Sequence, residues 1–412
     1  MTAAAQRILL VAHDFPPQNW AGVELYTLAL ARALIAQGVD VAVLYPAKPG
    51  DTAIRIEADR FEGVPVFRFV HPFDACAFVF QQAELEAAFV ELLRREAFTT
   101  VHFQHLQGFP ISFPAVAKGQ GCQVAMTLHD YWPLCLLCHM LKAGQVRCPG
   151  PVDLAECIRC IQPDMDEATR RVQAQHPHNP IRQRLAAMAQ ALDAVDILLA
   201  SSGYVLKTYR NFGMAAKAIL APIGIEPIPA RRVEQPGVTR VVYVGALHPL
   251  KNPLSLVAAF MMTPGNLSLE LRGRVQVPGY AQQVLAAAER DPRIRYGGPF
   301  ESDELADILG RADVLVVPSF YESYSSVARE ALSAGVPVFA ADVGGMPEIV
   351  QAKVNGMLFD PHDLDALAHL LARAAAEPAW LAGLARGIRP PRTMAMDAAD
   401  LLARLEGRRI DG

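Results

Sequence analysis

Apolar residues along this chain gather into short unbroken runs, separated by longer stretches in which they recur every three or four positions. Runs rich in Val, Ile and Leu suit strands covered on both faces, and the spaced stretches suit amphipathic helices. Residues 7–12 give a first strand, 22–37 a helix stopped by Gly38, and 39–45 a second strand. Strand, helix and parallel return strand form the unit of a doubly wound sheet. Further strands are predicted over 64–70, 99–103, 123–128 and 196–200, with a long helix over 180–194. Residues 226–239 are rich in Pro and polar groups, a linker composition. A second series follows: strands at 240–244, 267–272, 293–296, 314–317 and 336–340, and helices at 253–262, 279–289, 302–310, 325–334 and 363–376. Residues 394–406 give a last amphipathic helix. The pattern predicts an α/β fold of two doubly wound domains, 1–225 and 226–392, with the segment 393–412 returning towards the first. Two such domains leave a cleft, and ligands of open α/β sheets sit beyond the carboxyl ends of the strands.

The chain has 412 residues, 52% hydrophobic and 19% charged, which is ample for two cores and ordinary for a globular protein. A net charge of −4 argues against a general nucleic-acid binder. No apolar run reaches the length of a membrane span, and the N-terminal run is short for a signal peptide. A cytoplasmic protein is expected, with contact at the inner face of a membrane left open.

The chemistry concentrates at predicted strand ends. Val314–Val317 ends at Pro318, and a helix capped by Ser325 or Ser326 runs on to Gly335. Amides of Ser323, Tyr324, Ser325 and Ser326 would then face the crevice, where a helix N-terminus favours an anion. Glu322 precedes those amides, and Glu330 lies about one turn into the helix. An anion site beside two hydroxyl-binding carboxylates is what a nucleotide sugar needs. Gly22 opens a helix after the first strand and would let a phosphate approach the backbone; the plainer alternative is a turn glycine. Lys251 follows the first strand of the second domain, just before Pro253, and could neutralise a diphosphate; a lone lysine is more often only solvated. His102, His105 and His129 also sit at strand ends, where histidine serves as donor or base, or simply as a hydrogen-bonded core residue.

Seven cysteines include Cys76 and Cys122, isolated and read as small buried hydrophobes. The other five crowd together as Cys135-Leu-Leu-Cys138, Cys148 and Cys157-Ile-Arg-Cys160. Four thiolates close a tetrahedral zinc site, with the pair at 157–160 as one half and Cys148 with Cys135 or Cys138 as the other. An iron–sulfur cluster uses the same ligands, and reduced buried thiols are the bland reading. An all-cysteine shell would be structural, because it leaves no open position.

Taken together the chain resembles the retaining glycosyltransferases of the GT-B fold, in the group 1 family, family 4. The resemblance rests on Glu322 and Glu330 in the family's E-x7-E motif, on Gly344-Gly345-Met346-Pro347-Glu348 and on Asn355-Gly356-Met357-Leu358-Phe359. It is supported by Gly22-Val-Glu24, Thr127-Leu-His-Asp130, Ser201-Ser202, Gly224-Ile-Glu226, and Gly245 with Lys251. The resemblance implies two Rossmann-like domains facing a central cleft. It implies a nucleotide-sugar donor carrying UDP, GDP or ADP, no catalytic metal, and a saccharide or lipid-linked saccharide acceptor in polysaccharide or glycoconjugate synthesis. Glu322 would hold hydroxyls of the sugar ring and Glu330 the ribose. Ser323 to Ser326, with Lys251 and Gly22, would take the diphosphate. His129 would touch the transferred sugar, and Gly297-Gly298-Pro299-Phe300 would cup the base. A cysteine loop after Thr-Leu-His-Asp is similar to that of a subset of the family, whose recurrent positions match Cys135, Cys148, Cys157 and Cys160. One departure is Ala246, where the family carries arginine; Arg272, Arg274 or His248 is expected to take over the lost charge. The competing readings are an epimerase or phosphorylase on the same fold, and a non-catalytic interaction protein.

Overall fold

In the computed structural model, which describes residues 6–47, 53–72, 80–161, 180–229, 233 and 237–408, the chain divides into two compact units. Unit 1 comprises Met1–Gly224 with Met394–Gly412, and unit 2 comprises Ile225–Thr393.

Unit 1 carries eight strands: β1 (Arg7–Val11), β2 (Asp40–Pro46), β3 (Arg55–Phe61), β4 (Val64–Val70), β5 (Thr100–Phe103), β6 (Gln123–Leu128), β7 (Ile197–Ala200) and β8 (Ile219–Leu220). Their order is β3-β4-β2-β1-β5-β6-β7-β8, parallel throughout except for the antiparallel pair β3/β4. Strand β1 is central, with Leu9 opposite Ala42 on one side and Val101 on the other. Its residues Ile8 to Val11 have no exposed surface, which is why the run is continuously apolar. Strand β3 was not predicted. It lies at the sheet edge, is largely exposed, and alternates charged with apolar residues too weakly to announce itself. The helix Met394–Leu405 packs along the helix Gly22–Ala36. Tyr26 donates its hydroxyl to Asp397 at 2.7 Å, and the Gly224 amide donates to the same carboxylate at 2.9 Å.

Unit 2 carries β9 (Thr239–Val244), β10 (Leu267–Arg272), β11 (Ile294–Tyr296), β12 (Val314–Val317), β13 (Val338–Ala341) and β14 (Gly356–Phe359). All are parallel, in the order β11-β10-β9-β12-β13-β14. Side chains alternate between the two faces, and each face has its own core. Val241, Tyr243, Val314, Val316 and Phe339 go to one, and Val242, Val244, Leu315, Val317 and Val338 to the other. Each such residue contributes about 1.5–3 kcal/mol by leaving water. The direction of strand succession reverses between β9 and β12, the switch point at which doubly wound sheets bind ligands. Lys251 follows β9 in the chain, and Ser319, Glu322 and Glu330 follow β12.

The predicted helix at 302–310 is two pieces, a 3-10 turn Ser302–Glu304 and the helix Leu305–Arg311. Glu301 and Glu304 form a capping box that opens it. The helix Pro378–Arg386 and the strand β14 were also unpredicted. Cys76 lies outside the described residues.

Candidate active site

Two loops meet at the switch point of unit 2. After β9 the chain turns through a 3-10 segment, Pro249–Lys251, and reaches Asn252 with φ 54° before the helix Pro253–Met261. After β12 it runs through Pro318 and Ser319 to Glu322. Asn252, buried, donates its side-chain amide to the Pro318 carbonyl at 3.1 Å, and the Phe320 amide donates to the Leu250 carbonyl at 2.9 Å. These two bonds pin the loops together and set Lys251 beside Glu322. The Lys251 ammonium donates to Glu322 Oε1 at 2.7 Å, and the Ser319 hydroxyl donates to the same oxygen at 2.8 Å. Glu322 is 6% exposed, so its carboxylate is held by these two donors rather than by bulk water. An ammonium has three protons, and only one is needed for this pair.

The backbone of Glu322 is fixed from the other side. The loop after β13 brings Gly344, at φ 56°, so close that a Cβ there would lie 1.8 Å from the Glu322 carbonyl oxygen. The Gly345 amide donates to that oxygen at 3.1 Å. This gives the Gly-Gly pair a physical reason. A similar close approach occurs between β9 and β10, where a Cβ on Gly273 would stand 1.9 Å from the carbonyl oxygen of Gly245.

The helix after Glu322 spans Ser326–Ser333, with Ser325 as N-cap. Ser325 takes the N-cap position, as expected, and its own side chain makes no capping hydrogen bond. Arg329, buried one turn in, donates to the Ser325 carbonyl at 3.2 Å and lies 4.5 Å over the Tyr324 ring. Glu330 is half-buried, and burial pushes its carboxyl pKa up, with the Arg329 charge opposing only in part.

The three groups considered as replacements for an arginine at Ala246 differ in their surroundings. Arg272 is buried, pairs with Glu304 at 3.2 Å and Glu270 at 3.6 Å, and sits over the Phe300 ring at 6.0 Å. His248 accepts the Leu250 amide at Nδ1. Arg274 is half-exposed and only loosely paired, 4.0 Å from Glu301. Pro299 and Phe300 follow β11 in the loop beneath Arg272, whose guanidinium donates to the Pro299 carbonyl at 3.4 Å.

Unit 1 gathers a second polar cluster at the ends of β1, β5 and β6. His13 pairs with the buried Glu24 at 3.1 Å, and Glu24 sits in the first turn of the helix that Gly22 opens. No side chain caps that helix at Ala21. Burial alone would depress His13, but the hydrogen bond and charge of Glu24, with Asp130 and Asp14, raise it above its ordinary value. Burial alone would raise Glu24, and His13 overrides that and lowers it. The His105 ring lies 4.3 Å from that of His13, and its Nε2 is 3.4 Å from Asp130. His129 bonds through Nε2 to the Gln104 side-chain oxygen at 2.8 Å. Burial holds its pKa at about 3, so the ring is neutral and Nδ1 carries the lone pair. His102, likewise held at about 3, bonds Thr127 at 2.8 Å and is a core residue. The pairing of His13 with Glu24 was missed, because nothing in their spacing marks them as partners.

Cysteines are divided by the fold. Cys122 is buried and bonds the Phe98 carbonyl. Cys135, Cys148, Cys157 and Cys160 line one cavity of about 40 Å³, whereas Cys138 does not. Cys138 lies by Asp130 and His105, three groups whose ligand atoms are within 4.8 Å of one another. Asp130 already serves both neighbours there, pairing with His105 and accepting from the Cys138 thiol.

Comparison with known proteins follows the same division. The family profile described as glycosyl transferases group 1 matches residues 225–384, and that described as glycosyltransferase family 4 matches residues 20–227. A D-inositol 3-phosphate glycosyltransferase of Mycolicibacterium vanbaalenii is 29% identical over 390 residues, covering 87% of this chain and 79% of that protein. Sucrose-phosphate synthase of Thermosynechococcus elongatus superposes with a TM-score of 0.72 at 20% identity, over 98% of this chain and 99% of that one. Anabaena HepE in complex with UDP superposes with a TM-score of 0.70 at 16% identity, over 98% of this chain and 100% of that one. At such identities what these two structures share with the chain is the fold.

Proposed function

The chain belongs to the group 1, family 4 glycosyltransferases of the GT-B fold, and from that premise we propose that it transfers a sugar from a nucleoside-diphosphate donor to a saccharide hydroxyl, retaining the anomeric configuration. The observation that carries the donor assignment is the Lys251–Glu322–Ser319 cluster at the switch point of unit 2, beside the N-terminus of the helix Ser326–Ser333. Glu322 holds hydroxyls of the sugar ring. The diphosphate lies against the amides of Ser323 to Ser326, with a proton of the Lys251 ammonium and with Arg274. Glu330 accepts from the ribose hydroxyls, and Pro299 and Phe300 flank the base. Gly245 keeps the end of β9 bare. HepE was crystallised in complex with UDP, which supports a nucleotide-bearing donor for this chain.

In the reaction the bond from the anomeric carbon to the diphosphate oxygen breaks, and its electron pair leaves with the phosphate. The acceptor oxygen bonds to the same carbon from the same face, and its proton passes to the departing phosphate. Helix amides and Lys251 stabilise the charge that develops there, so the step calls on no metal. Glu322 orients the ring and forms no bond to it. In unit 1 the neutral His129 accepts a substrate hydroxyl through Nδ1, and Gly22 opens its helix with no side chain to hinder a phosphate. The acceptor is a saccharide, free or carried on a lipid at the inner face of a membrane. Among the described residues no helix is long and apolar enough to cross one.

Incubation with UDP-, GDP- and ADP-sugars, with and without oligosaccharide acceptors, tests this reading. The nucleotide diphosphate should be released faster with acceptor, and the product should keep the donor's anomeric configuration by proton NMR. An inverted product, or a glycosyl group trapped on Glu322, would overturn the same-face mechanism.

A further inference from the structure

We infer that Cys135, Cys148, Cys157 and Cys160 form a structural site for one tetrahedral divalent metal ion of the zinc class, which ties together the loop that follows His129. Three separate pieces of chain converge to build it. A hairpin closed by the Cys148 amide on the Met140 carbonyl, at 2.8 Å, and by the Leu141–Arg147 bridge folds Cys148 back towards Cys135. The helix Leu154–Ile161 presents Cys157 and Cys160 one turn apart on one face. All four thiols line the same cavity, and Cys135 and Cys157 each lie within electrostatic reach of Cys148 and Cys160. Its volume of about 40 Å³ is room for a small ion.

Two features of the lining serve sulfurs bound to a cation, while without one burial raises the Cys135 and Cys157 thiols. Backbone amides point at the sulfurs: Gly150 donates to Cys148 at 3.3 Å, and Leu137 and Met140 donate to Cys135. An amide aimed at sulfur stabilises its anionic form. Four thiols binding a dication release four protons and leave a net charge of −2, which the fold must offset. Arg184 is buried in the lining, where it donates to the Pro133 and Trp132 carbonyls and covers the Trp132 ring at 4.4 Å. Lys142 lines the cavity as well, with its charge shared with Glu156 at 2.6 Å. None of the six described cysteines is in a disulfide. The four are more widely spread than the His105–Asp130–Cys138 group, and a bound ion would draw them inward. Cys138 stands outside the site, although its spacing to Cys148 and the Cys157–Cys160 pair is as suitable in sequence as that of Cys135.

The test is metal analysis of the full chain purified without chelator. The expected result is about one zinc per chain and no inorganic sulfide. Cys138→Ser should keep that zinc, and Cys157→Ser with Cys160→Ser should lower it at least about ten-fold. Because the double variant could fail to fold, the wild type is also titrated with a thiol-specific mercurial in the presence of a metal-sensitive dye. Zinc should be released as about four thiols react. Wild type that holds no metal after anaerobic preparation and zinc addition overturns the inference, as does iron with labile sulfide. Equal loss of zinc in Cys138→Ser would overturn the choice of ligands.

Discussion

Gly344 presses against the backbone of Glu322: a Cβ at residue 344 would fall 1.8 Å from the Glu322 carbonyl oxygen. The contact ties the loop after β13 to the loop after β12 and leaves no freedom in where the Glu322 carboxylate begins. Gly344→Ala should therefore act on catalysis through Glu322. A left-handed alanine costs about 1–2 kcal/mol before the clash is counted. The expected outcome is a lower unfolding midpoint together with a fall in kcat of about ten-fold or more. A variant with the lower midpoint and unchanged kcat would show that the clamp does not position Glu322.

Lys251 is predicted to act on the leaving group. One charge-assisted hydrogen bond is worth about 1.5–3 kcal/mol, so Lys251→Ala should slow transfer by roughly one to two decades. Arg274→Ala should slow it less, since that side chain is half-exposed and screened. If steady-state kinetics show both variants at wild-type turnover, the charge at the diphosphate comes from elsewhere.

Glu330 should make nucleotide binding depend on pH. Its raised pKa means that a fraction of the carboxyl is protonated at mildly acidic pH, and a protonated carboxyl loses acceptor capacity for a ribose diol. Affinity should rise with pH through that raised value, with protons released on binding. Calorimetry in buffers of different ionisation enthalpy measures both effects, and Glu330→Gln should abolish the proton release.

The His13–Glu24 pair should leave a mark on stability. The folded pKa of His13 is raised, so its contribution is complete below the unfolded value near 6.5 and is lost as pH rises through the folded value. Glu24 is lowered, so its contribution is complete above the unfolded value near 4.5 and is lost as pH falls through the folded one. Unfolding by urea across pH should show stability greatest between those limits. Glu24→Gln should flatten the profile and cost about 1.5–3 kcal/mol at its top.

Much of the fold was legible because its strands are buried on both faces and read as unbroken apolar runs. Val314–Val317 and Leu267–Arg272 have the predicted limits for that reason. The exposed edge strand β3 left no such run. Glu322, Lys251 and Glu330 were legible as candidates because each lies at or just beyond a strand end in sequence. Asn252 and Gly344 were not legible in their roles, since each acts through a partner far along the chain: Pro318 for one, Glu322 for the other. The cysteines show the same limit. Spacing could not separate Cys135 from Cys138, and the fold does so by turning only one of them into the cavity.

Binding of UDP, GDP and ADP by calorimetry, on the wild type and on Glu330→Ala, tests the central claim most directly. The account predicts that one of these nucleotides binds and that the substitution weakens it by about ten-fold or more, the worth of one lost charged hydrogen bond. Binding of none of them, or binding untouched by the substitution, would contradict a donor site in unit 2 and favour a fold kept for a non-catalytic role.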